Sequence, residues 1–93
     1  MISQNRIKEE VRYVLDSVRP QALSPDEILD RLAFSRELIQ ECREQIGVGA
    51  RFAAVSRVRD ALGALGADVE LNFEDSSGGK TSKVVFRLGE HRW

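Results

Sequence analysis

Near the start of the chain, Ile7, Val11, Val14, Leu15 and Val18 recur at alternating spacings of three and four, which places them on one helical face. The pattern predicts a first helix from Ser3 to about Val18. Ser3 supplies the N-cap, and Ile2 and Ile7 are spaced to staple the chain around it. Arg19 and Pro20 end the helix, because the residue before a proline is pushed out of helical geometry. A second start follows at once. Ser24 stands at an N-cap, Pro25 at the first helical position and Glu27 where a capping box needs it, with Leu23 and Ile28 as the staple. Ile28, Leu29 and Leu32 supply its buried side. Ser35 repeats the device, with Phe34 and Ile39 as staple and Leu38, Ile39, Cys42 and Ile46 as inner stripe. The spacing fits either two helices, 24–33 and 35–46, or one bent helix, and Ser35 argues for the break.

Gly47 and Gly49 close that helical pattern, and another opens at residue 51. Over 51–65 the large apolar residues Phe52, Val55, Val58, Leu62 and Leu65 predict the inner side. Ala53, Ser56, Arg57, Asp60 and Ala64 then fall outside, with Arg59 on the flank. Beyond Gly66 the period changes from 3.6 to two. Val69, Leu71 and Phe73 alternate with polar residues, and Val84, Phe86 and Leu88 repeat the alternation on a return strand. A Ser/Gly/Lys-rich turn over 75–82 joins the two, longer than a tight hairpin loop. Residues 89–93 follow no pattern and read as a loose tail. The class predicted is α+β, with about four helices before a C-terminal β-hairpin, in a single domain over 1–93.

Composition narrows the classes. With 93 residues, 42% of them hydrophobic and 31% charged, the chain reads as an ordinary globular domain. No apolar run approaches the ~18 residues of a membrane span, and no signal-peptide core follows the first residues. A cytoplasmic protein without a membrane partner is expected. Cys42 is the one cysteine, so neither an internal disulfide nor a thiolate metal site can form, and its apolar position predicts a buried thiol. The net charge of −1 is shared unevenly. Residues 22–46 hold six acids and three arginines, whereas 51–65 hold three arginines and one aspartate.

Few residues invite catalytic chemistry. Gly78, Gly79, Lys80 and Thr81 resemble the end of a phosphate-binding loop. Position 74 is a glutamate where such a loop needs glycine, and a strand pattern follows where it needs a helix. His91 is the single histidine and stands in the patternless tail without metal-ligand neighbours in sequence. No catalytic constellation, cofactor site or metal site is expected. The basic helix is the stronger candidate, as a binding surface. Small residues on its outer face let a backbone approach a groove, arginine pairs with guanine, and serine donates to bases or phosphate. Read alone, the same arginines also fit the solvated side of an amphipathic helix.

The order of elements separates those readings. Ser24-Pro25-Asp26-Glu27 opens a capped helix, and Val55, Ser56, Arg57, Val58, Arg59 and Asp60 lie in a later one. Leu65-Gly66 precedes a strand beginning Val69-Glu70, and Val84 to Leu88 form the last strand. Over residues 3–89 this resembles the winged helix-turn-helix superfamily, and more narrowly its small phage and bacterial members. The departure is the extra helix over 35–46, acidic on its outside, where the family has a short turn.

The resemblance implies a winged helix and a small DNA-binding transcriptional regulator, with 51–65 as recognition helix and 69–88 as wing. Arg57, Ser56 and Ala53 are then expected at the groove, Arg51 and Arg59 on the DNA backbone, and Lys80, Thr81 and Lys83 on phosphate from the wing. A homodimer would match palindromic sites. The alternative is a winged-helix module that binds protein, as a phage-type inhibitor or an adaptor, through the helix at 35–46. Near-neutral charge and Asp60 favour that second use.

Overall fold

A computed structural model describes residues 1–76 and 79–89, excepting the side chains of 73–76 and 79–82. Both capped starts form as their sequences dictate. The Ser3 hydroxyl accepts the Arg6 amide at 3.1 Å, opening α1 (Gln4–Ser17). At α2 (Pro25–Arg31) the capping box is complete: Ser24 accepts the Glu27 amide at 3.2 Å, and Glu27 accepts the Ser24 amide at 2.9 Å. Both orphan donors of that helix start are thereby satisfied.

Leu32 leaves helical geometry, so α2 and α3 (Ser35–Ile46) are separate helices. Ser35 does not cap α3 as expected. It is the first helical residue, and Phe34 occupies the cap position with no side-chain bond. Phe34 is instead buried in the core, and the Arg6 guanidinium lies 4.4 Å from its ring centroid. Gly47 and Gly49 turn the chain with positive φ values of 74° and 79°. Helix α4 (Ala50–Leu65) follows and ends in a left-handed Gly66.

The hairpin is antiparallel, β1 (Asp68–Ser76) against β2 (Gly79–Arg87), with Val69 opposite Phe86 and Leu71 opposite Val84. A further pairing is invisible in the sequence pattern. Leu23 and Phe86 exchange both backbone bonds, at 2.9 and 2.7 Å, so the segment between α1 and α2 lies against the outer side of β2. The hairpin is thereby fastened to the helical body.

One core joins these elements. Ile7, Val11 and Leu15 of α1, Ile28 and Leu29 of α2, Leu38 and Cys42 of α3, and Val58 and Leu62 of α4 are all buried in it. Helix α4 is the hub, packed against α1, α2 and α3. Its inner face differs from the expected one. Ala50, Ala54 and Ala61 are buried beside Val55, Val58 and Leu62, whereas Phe52 is 76% exposed. Three other helices meet α4, and small residues let their backbones come close. The inner face therefore centres on alanines, and the largest apolar side chain is turned outward. Ile46, expected on the inner stripe of α3, is likewise exposed.

The expected apolar face of the hairpin divides instead: Phe86 packs against the core and Leu88 is buried in it. Its apolar alternation also predicts burial of Val69, Leu71 and Val84, yet these are 61%, 58% and 44% exposed. Val85, on the opposite face of the sheet, is also fully buried. No helix among the described residues is long and apolar enough to cross a membrane.

Candidate nucleic-acid interface

Because the inner face of α4 is turned toward Ala54 and Ala61, its outer residues also change. Phe52, Ser56, Arg59, Asp60 and Gly63 form the solvent side, all exposed. Ala53, expected at a groove, is half-buried and packs on the core. Ser56 stands where expected, exposed in mid-helix.

Arg57 is the largest correction. Its guanidinium donates to the Ile2 carbonyl at 2.7 Å and to Gln4 Oε1 at 3.2 Å, and pairs with Glu41 at 3.5 Å. The Gln4 amide returns a bond to the Arg57 carbonyl at 2.8 Å. Glu41 also accepts the Ile2 amide, so one carboxylate and one guanidinium bind the N-terminal segment to α3 and α4. Only 26% of the Arg57 side chain and 15% of Glu41 are exposed. Charge-assisted bonds in such a setting are worth about 1.5–3 kcal/mol each. Arg57 is a structural tie, and a base edge would have to displace the whole network.

Arg51 and Lys83 are also paired, but on different terms. Arg51 reaches Asp26 at 3.2 Å and Asp30 at 3.0 Å, with all three side chains about half exposed or more. Lys83 reaches Glu27 at 2.8 Å, again with substantial exposure. Exposed pairs of this kind contribute roughly 0.2–1 kcal/mol and exchange readily for another anion. Lys83 and the Ser24 amide together lower the Glu27 pKa from 4.5 to about 2, the lysine being the larger cause.

Arg59 differs from all three. It is exposed and makes no ion pair or hydrogen bond among the described residues. The sequence wheel puts it on the flank and Arg57 at the centre, and the structure shows Arg59 open to solvent and Arg57 bound within the fold. The Lys80 and Thr81 side chains lie outside the described residues, as do His91 and Trp93.

Two features of the outer face escape a reading by hydropathy. Ile46, Val48 and Phe52 are 55%, 93% and 76% exposed around the two-glycine turn that opens α4. Gly63 lies in the helix with open space around the position of a Cβ atom. Glycine there costs the helix roughly 0.5–1 kcal/mol relative to alanine, and no neighbour among the described residues requires it. Among the described residues no cluster of three or more potential metal ligands forms. The chain matches no protein-family model, no curated protein and no solved structure.

Proposed function

We propose that the chain is a winged-helix protein that docks on double-stranded DNA, as a small transcriptional regulator does. The outer face of α4 would enter the groove and the hairpin would act as wing. The observation that carries this reading is the layout around β2. The Leu23–Phe86 pairing fastens the hairpin beside the helical body, and α4, directly before it, turns Ser56, Arg59 and Gly63 to solvent. The open Gly63 position supports close approach of a rigid partner, since glycine there has no packing reason among the described residues.

The assignment of roles follows from the pairings. Arg59 takes the base-reading place expected of Arg57, with Ser56 a turn away as a second donor. Arg51 and Lys83 retain their phosphate roles, because an exposed ion pair gives up little when phosphate replaces carboxylate. Titration with mixed-sequence duplex DNA at low and then higher salt tests the proposal. Binding at low salt that falls steeply with salt is expected. A complete lack of binding at low salt would defeat it.

A second reading, a protein-binding module on the same fold, is favoured by one observation. Val48 and Phe52 put exposed apolar side chains on one surface with Arg43 and Arg51, and Ile46 is exposed just before the glycine turn, where a duplex would prefer cations alone. The acidic outer side of α3, with Glu37 and Glu44 exposed, extends that surface. A protein that binds no DNA at low salt would fit this use.

A further inference from the structure

Among the described residues nothing pairs with the outer hydrogen-bonding edge of β1, and the geometry of that edge follows from the Leu23 pairing. Phe86 spends both its N–H and its C=O on Leu23, on the side of β2 away from β1. Phe86 and Val69 are therefore a non-hydrogen-bonded pair of the antiparallel ladder, and the N–H and C=O of Val69 point away from β2. The alternation repeats every two residues. Val69, Leu71 and Phe73 thus direct their backbone groups to the free edge, while Glu70 and Asn72 direct theirs to β2.

That edge is guarded by negative charge alone. Natural edge strands carry charged residues, proline or a bulge, or are kept short. Strand β1 spans nine residues, longer than the common five or six, with neither proline nor lysine and an unbroken register. The side chains of Val69 and Leu71 are also exposed, so an incoming strand would find apolar partners on one face. Charge decides which strand fits. The acids of β1 are Asp68, Glu70, Glu74 and Asp75, and it contains no base. Antiparallel pairing with a second copy of β1 would set an acidic strand against itself, and like charges across a ladder are destabilising. Arg87 reaches Glu70 only at 3.8 Å from the other side, both about half exposed, and so offsets little of that charge.

We propose that β1 is an acceptor edge for an extended segment of a partner protein that alternates basic and β-branched residues. The partner would add a strand antiparallel to β1, hydrogen-bonding Val69, Leu71 and Phe73. Its β-branched side chains would cover Val69 and Leu71, and its lysines or arginines would stand on the side of Glu70. This surface is separate from the outer face of α4, and the proposal stands whether or not that face binds DNA.

The test is a titration of the full chain, labelled for amide NMR, with a synthetic heptapeptide alternating lysine and valine. A peptide with glutamate for each lysine is the control. With the basic peptide the amides of Val69, Leu71 and Phe73 should exchange more slowly, while those of Glu70 and Asn72, already bonded to β2, should not change. Leu71→Pro removes one outward donor without touching the ladder to β2, and should weaken the peptide by about tenfold or more. If that variant loses its helical amide protection, Leu71→Lys serves instead, keeping the backbone donor while repelling a basic strand. Equal response to both peptides, protection spread outside β1, or no response in the parent chain would overturn the proposal.

Discussion

Two sides of α4 place arginines two positions apart in opposite situations. Toward α1 and α3, Arg57 is held by Ile2, Gln4 and Glu41, and the alanines beneath it let the helices close together. On the outer side, Arg59 stands without partners among the described residues, between Ser56 and Gly63. Identical residue types on one helix thus serve the fold on one side and leave a surface available on the other. Charge counted along a helix says nothing about which arginine is available. The acceptors that surround each one decide it.

Substitutions on the two sides should separate these duties, and the largest effect lies at the hub of the core. Leu62→Ala should cost about 2–5 kcal/mol of unfolding free energy, read by denaturant titration, because the cavity cannot collapse among three packed helices. Arg57→Ala should follow at about 1–3 kcal/mol, since it leaves the largely enclosed Glu41 carboxylate with one cation fewer. On the outer side, Gly63→Ala should instead raise stability by about 0.5–1 kcal/mol, the space for a methyl group being open. If DNA approaches closely there, the same change should weaken binding, so stability and affinity would move in opposite directions.

The smallest effect concerns pH and sharpens the comparison at the edge of α4's neighbour. The folded pKa of Glu27 is about 2, below its ordinary 4.5, so its pairing with Lys83 and the Ser24 amide stabilises the fold above about pH 4.5. That contribution is lost as pH falls from about 4.5 toward 2. With both side chains well exposed, solvent screening limits it to no more than about 1 kcal/mol. Glu27→Gln should flatten the acid limb of stability over that window and leave the limb above pH 5 unchanged in slope.

The legible parts of the fold were those written in local chemistry. Ser3, and Ser24 with Glu27, cap the helices they were expected to cap, because a capping box needs only its own residues to form. The four helices and terminal hairpin follow from the same periodicities. What the sequence hid depends on neighbours distant along the chain. A helical wheel ranks Phe52 above Ala54 as a core residue, but the helices that crowd α4 favour the alanine. Period-two alternation marks an apolar face of the hairpin without saying that only Phe86 and Leu88 on it meet the core, while Val69, Leu71 and Val84 stay exposed. Leu23 shows no strand pattern at all, since one bridged residue leaves no periodicity. Of the expected site, Ser56 and Arg59 are exposed, Ala53 and Arg57 belong to the fold, and Arg51 and Lys83 are weakly paired.

The division of α4 is tested most directly by titrating duplex DNA at low salt with Arg57→Ala and Arg59→Ala side by side, each under conditions where it is folded. Arg59→Ala should weaken binding and reduce discrimination among sequences, by about 1–3 kcal/mol if it reads a base, whereas Arg57→Ala should bind as the parent chain does. Loss of binding in Arg57→Ala with Arg59→Ala unaffected would contradict that division.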